Sequence, residues 1–244
     1  MSVSPPLSAP VYRLTLRALV DGRRIVILAL LALLPVLAAI LYASAGEVEA
    51  DVFWARLVNR LILPTVTAFI AVVIGASSIA EEREDGTILY LASTPLSRLT
   101  LVVTKVLASW TAALALLLPS VVVAGLVVLG SSAGAGQIVW TAVATAMTAL
   151  GYCAVSALLA MVTRRPVVIG VLYILLWEGT IATFAASADR FSIAAYGRAI
   201  ASEGISGDNA APSFGGTTGF VVLAVVTVAA TWLAAYRLRR TELP

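Results

Sequence analysis

The sequence predicts an all-α integral membrane protein with six transmembrane helices and both termini in the cytoplasm. Composition is the first observation behind this. The 244 residues are 61% hydrophobic and only 12% charged, with a mean hydropathy of +1.01. A soluble domain is about half apolar and about a quarter charged. The second observation is length. Six apolar runs reach or approach the ~20 residues that a helix needs to cross ~30 Å of hydrocarbon. They lack the polar alternation of barrel strands, so helices are the form that satisfies their backbone groups in lipid. The third is charge placement. Arg13, Arg17, Arg23 and Arg24 precede the first run, and Arg83, Arg98 and Lys105 follow the second. Arg164 and Arg165 follow the fourth, and Arg237, Arg239 and Arg240 follow the sixth. That is twelve of the sixteen basic residues on one side, which the positive-inside rule assigns to the cytoplasm. The net charge of +3 therefore orients a membrane protein and gives no reason to expect a nucleic-acid partner.

Residues 1–24 read as an N-terminal tail and an amphipathic interfacial helix. Arg13 and Arg17, four residues apart, share a face of that helix. Val11, Leu14, Ala18 and Val20 are expected on or near its lipid side. A basic flank that only orients the first span explains the same residues. Residues 25–244 form one six-span domain, with spans at about 25–45, 61–80, 101–130, 138–163, 166–188 and 219–236. The first run ends in Ala43-Ser44-Ala45, a small-x-small pattern, but it is longer than a signal-peptide core and follows a long basic leader, so it reads as a retained span. The outer loop 46–59 offers Phe53 and Trp54 as interfacial anchors. Residues 131–137 make a short glycine-rich outer turn. Pro166 starts the fifth span, where its missing N–H is harmless. In the polar stretch 189–216, residues 191–201 suit a short amphipathic helix and 206–216 a loop. Cys153 is the only cysteine, so no disulfide forms within the chain. Histidine is absent, which removes the commonest metal ligand and proton shuttle; no metal or cofactor is expected in this chain.

The segment 81–100 interrupts this apolar pattern. Glu81, Glu82, Arg83, Glu84 and Asp85 carry the second span into water. Gly86 suits a helix end, and Thr87 can cap a new helix. Ile88, Leu89, Leu91 and Leu96 give that piece an apolar side, and Pro95 stops it. Ser97 can cap the third span, with Arg98 and Lys105 at the lipid headgroups. An ordinary loop between spans has the same ingredients. The spacing Glu82-x-x-x-Gly86-Thr87-x-x-x-Leu91-x-x-x-Pro95-x-Ser97-Arg98, followed by Lys105, resembles the signature of ABC-2 type permeases. The specific part covers about 25 residues, while the six-span layout fits nearly the whole chain.

That resemblance implies a cytoplasmic coupling helix between spans two and three, docking on a separate ATP-binding cassette subunit. It implies an exporter, a second copy of this chain or a similar permease, and a bacterial inner (plasma) membrane. Glu81, Glu82, Arg83, Gly86, Thr87, Leu91, Pro95 and Arg98 are the implied coupling residues. The chain has no Gly-x-x-x-x-Gly-Lys-Ser/Thr phosphate loop, and Lys105 is its sole lysine. It is therefore not expected to be an enzyme, and ATP and Mg belong to the partner. The run from Tyr173 to Gly179 resembles a stretch in the fifth span of some bacterial members. Within it Glu178 is the only ionisable residue deep in an apolar run, a position that marks function by default. With Trp177, it is a candidate for the substrate path or the outer gate. Alternatively, it caps a helix and locks the fifth span to the outer helix. An ion-coupled secondary transporter using Glu178 is the rival class. A membrane protease built on Glu81-Glu82 lacks the arginine and histidines it would need, and a scaffold built on Thr141, Thr145 and Ala149 explains only packing.

Overall fold

Proline and glycine set where these helices break. α1 (Ala9–Val20) is followed by α2 (Arg23–Ala32) and α3 (Leu34–Ala45). The break at Leu33 precedes Pro35, which has no N–H to donate; the Leu33 N–H is shared between the carbonyls of Ala29 and Leu30 at 3.1 and 3.2 Å. α4 (Ala50–Leu57) runs into the π-helical stretch Val58–Thr67 and then α5 (Ala68–Glu84). Pro64 lies inside the π-helical turns. A proline ring crowds the preceding turn and removes one ladder bond, and a wider helix is one way to absorb both. α6 (Arg98–Leu129), α7 (Ala135–Val162) and α8 (Pro166–Tyr173) follow. α8 continues as a second π-helical stretch, Ile174–Ile181. A 3-10 turn (Ala188–Phe191), α9 (Ile193–Ala201) and α10 (Gly216–Arg240) complete the chain. The computed structural model describes residues 9–20, 23–45, 48–84, 97–130, 134–181, 188–205 and 214–240. All regular structure among them is helical.

Among the described residues, five stretches are long and apolar enough to cross a membrane: Arg24–Ser44, Ala50–Ala80, Arg98–Leu129, Ala135–Val162 and Gly216–Leu238. The expected fifth span, 166–188, is not among them, because its apolar helix is the shorter Pro166–Glu178. The second span begins earlier than expected, at Ala50. Residues 50–59 are therefore helix rather than outer loop, with Asp51 and Arg56 exposed and Trp54, Leu57 and Val58 buried. Trp54 is 0% exposed and is a core residue, not the interfacial anchor the sequence suggested. In α1 the buried face is Val11, Thr15 and Leu19, packed on α6 with Tyr12 Oη and Thr111 Oγ1 2.9 Å apart. Val11 thus faces protein, while Arg13, Leu14, Arg17 and Ala18 are exposed.

α7 is the central helix and packs against α5, α6, α9 and α10. Its approach to α5 is close: a Cβ on Gly75 would lie 2.9 Å from Cys153 Cα. Three apolar clusters follow one another along the bundle. One joins Ala39, Trp54, Leu63, Ala124, Ala144 and Leu223. The next joins Leu28, Ile70, Ala113, Tyr152 and Ile174. The last joins Ile79, Val102, Ala157, Ala234 and Leu238.

Candidate functional site

Two of the junctions that buried polar groups make between elements involve residues singled out in the sequence. The first lies where α5 and α6 converge on the 81–98 segment. Ser97 caps α6 as expected, its Oγ accepting the Thr100 N–H at 3.2 Å. Arg98 is the first residue of α6 and is half-buried. Lys105 is not at the headgroups. It is 1% exposed, and its Nζ donates to the Ser78 carbonyl on α5 at 3.0 Å. A buried ammonium needs acceptors to offset its lost hydration, and the backbone of α5 supplies one. This bond ties α5 to α6 about one and a half turns before α5 ends. Glu81, Glu82 and Arg83 belong to the last turn of α5. Gly86, Thr87, Leu91 and Pro95, and with them the expected coupling helix, lie outside the described residues.

The second place centres on Glu178, which is 6% exposed and sits in the second π-helical stretch. Tyr152 Oη donates to Glu178 Oε1 at 2.6 Å. Ser192 Oγ donates to Oε2 at 2.6 Å. The Ala194 N–H donates to Oε1 at 3.3 Å, and Tyr173 Oη points to the same oxygen at 3.4 Å. Ser192 is also the N-cap of α9, accepting the Ala195 N–H at 3.0 Å. The carboxylate therefore meets the positive end of a helix dipole and joins α7, the fifth apolar helix and α9 at one point.

Trp177 is half-buried beside it and meets Phe191 edge-on, with ring centroids 6.2 Å apart. Nearby, Arg198 pairs with Asp189 at 3.1 Å. The expected 191–201 helix is present as α9, and Ser before Ile193 was the signal that could have placed its cap. Tyr152 carried no such signal, because it lies inside an unbroken apolar run. No group of three or more metal-ligating side chains comes together among the described residues.

No curated protein matches the chain. A family model described as ABC-2 family transporter protein matches residues 10–243, which takes in every transmembrane segment and both buried polar junctions. The chain belongs to the ABC-2 family of transporter proteins.

Proposed function

We propose that this chain is the membrane permease subunit of an ATP-driven exporter, coupled through residues 81–98 to a separate ATP-binding cassette subunit that holds ATP and Mg. The observation that carries the reading is the Lys105–Ser78 bond at 3.0 Å. It joins α5 and α6 where the Glu82–Arg98 motif connects them, so a push on that segment moves both helices together. A coupling helix near Thr87–Ala92 would turn nucleotide-driven closure of the ATPase into a tilt of spans two and three. Two copies of the chain, or this chain and a similar permease, would enclose the path. The arginine pattern puts both ends in the cytoplasm, the apolar runs give six crossings, and the family resemblance implies a bacterium-like inner membrane. Glu178 and Trp177 are assigned to the outer gate, where the carboxylate holds α9 against the bundle. An ion-coupled mechanism through Glu178 finds no support, because its two oxygens already face three hydroxyls and a backbone N–H.

The test is a mild-detergent purification of the tagged chain from its native membrane, followed by mass spectrometry. The expected result is a phosphate-loop protein in equal amount, lost when residues 81–98 are scrambled. A monodisperse chain that never brings an ATPase with it overturns the reading.

A further inference from the structure

α8 and α10 both pack against α7, and a cavity of about 420 Å³ lies between them. That volume falls within the ~300–1,000 Å³ of ordinary ligand sites. Its walls are Val155, Leu159, Ile169, Val222 and Val226, with Tyr152 at the back. The flanking Leu172, Val221 and Val225 are exposed, so the cavity opens sideways, toward the space lipid fills around these helices. A wall of this kind offers water few of the two to four partners it needs. An acyl chain needs none.

The rim is different. The 3-10 turn Ala188–Phe191 closes one end of the cavity, and two tyrosines that also line it hold the turn. Tyr196 Oη donates to the Arg190 carbonyl at 2.8 Å, and Tyr173 Oη donates to the Phe191 carbonyl at 2.9 Å. This sets the exposed Arg190 at the mouth. Asp189, next to it, is engaged by Arg198, and no carboxylate among the described residues pairs with Arg190. Depth makes this costly. Tyr173 lies eight residues beyond Arg165, ~12 Å along a helix at ~1.5 Å per residue, in a hydrocarbon layer ~30 Å thick. Its hydroxyl holds the Phe191 carbonyl, next in the chain to Arg190, so Arg190 stands near the middle of the layer. An arginine there needs an anion or a local defect in the bilayer, and a guanidinium matches phosphate with two parallel hydrogen bonds.

We propose that this cavity holds an acyl chain of an anionic phospholipid, with the lipid phosphate on the Arg190 guanidinium. The proposal rests on the chain spanning a membrane, but needs neither an ATPase nor a cargo. It therefore stands or falls independently of the pump reading.

The test is native mass spectrometry of the purified full chain with phosphatidylglycerol and phosphatidylcholine of equal chain length. One phosphatidylglycerol should survive detergent removal, and phosphatidylcholine should be lost. Arg190→Gln should weaken phosphatidylglycerol retention about tenfold, the loss of roughly one charge-assisted hydrogen bond, while Arg190→Lys keeps most of it. Val226→Trp, which fills the cavity and leaves Arg190 in place, should also release the lipid; Val222→Phe serves from the other wall if the first variant does not fold. Equal retention of the two lipids, an Arg190→Gln chain that binds like wild type, or lipid held by a filled cavity would each overturn the proposal. Glycerol phosphate competing as well as the whole lipid would place an anion site there and remove the acyl chain from it.

Discussion

Glu178 shows how one buried side chain can be costly and stabilising at once. A carboxylate in an apolar interior is tolerated when donors replace its water, and here Tyr152, Ser192 and the Ala194 N–H do so within 3.3 Å. Removing it strands two buried hydroxyls and one helix N-terminus. Glu178→Leu should therefore lower stability by about 2–4 kcal/mol, the cost of leaving buried donors without an acceptor. Ser192→Ala should cost about 1–2 kcal/mol, through the lost cap of α9 and one lost bond to the carboxylate. Thermal unfolding in detergent, followed by tryptophan fluorescence, measures both. The two losses should not add in the double variant, because they share one network. Full additivity would mean that Ser192 acts on α9 alone. Of this cluster, only Glu178 was legible in the sequence, as the one charge deep in an apolar run. Its partners were not, because a tyrosine in an apolar run reads as bulk, and the pairing depends on how α7 faces α9.

At the scale of elements, hydropathy located the long helices well and their irregular parts poorly. The second span is expected from residue 61, after an outer loop at 46–59, but Asp51, Arg56 and Arg60 do not sit in a loop. They are the exposed face of a helix whose other face, including Trp54 and Leu57, is buried. Helical periodicity there was masked by dense charge. Neither π-helical stretch was visible, since hydropathy carries no information on backbone width. Contact between α5 and α7 depends on Gly75, where an added Cβ meets Cys153 Cα at 2.9 Å and its carbonyl at 3.1 Å. Both neighbours are backbone and cannot rotate away. Gly75→Val should cost at least about 1–3 kcal/mol by overpacking, seen as a lower melting temperature. The α5–α6 tie gives a separate prediction. Lys105→Met keeps the bulk and removes the donor to Ser78. The chain should still insert and purify, but under the coupling proposal ATP hydrolysis and transport should separate, with transport reduced about tenfold or more in proteoliposomes. Unchanged transport would leave Lys105 with a packing role only.

Across the whole molecule, the apolar clusters order the helix ends. α10 places Leu223 with Trp54 and Ala39 at one end, and Leu238 with Ile79 and Leu101 at the other. α7 runs the same way, from Ala144 in the first of these clusters to Ala160 in the second. α8 starts four residues after α7 stops, so it starts at the Ile79 end, while α10 begins at the Trp54 end. Residues 166–215 must carry the chain from one end to the other. A short fifth apolar helix, its π-helical turns and α9 are the described parts of that passage, and the six-crossing proposal needs them because, among the described residues, five helices are long enough alone. On that reading the end of α5, the start of α6 and Arg240 share one side, which the proposal makes the cytoplasm together with the N-terminus, and Gly130 and Gly134 lie on the other. Cysteine labelling tests it without altering the native thiol, because Cys153 is 0% exposed and its Sγ donates to the Ala71 carbonyl at 3.6 Å. In right-side-out vesicles a membrane-impermeant maleimide should label Ser131→Cys and should label Ser4→Cys only after lysis. The unsubstituted chain should stay unlabelled in both conditions. Ser4→Cys labelled from outside, with Ser131→Cys protected, would invert the orientation. It would also put the 81–98 segment beyond the reach of any cytoplasmic ATPase, so the same experiment that fixes the topology decides whether coupling through that segment is physically possible.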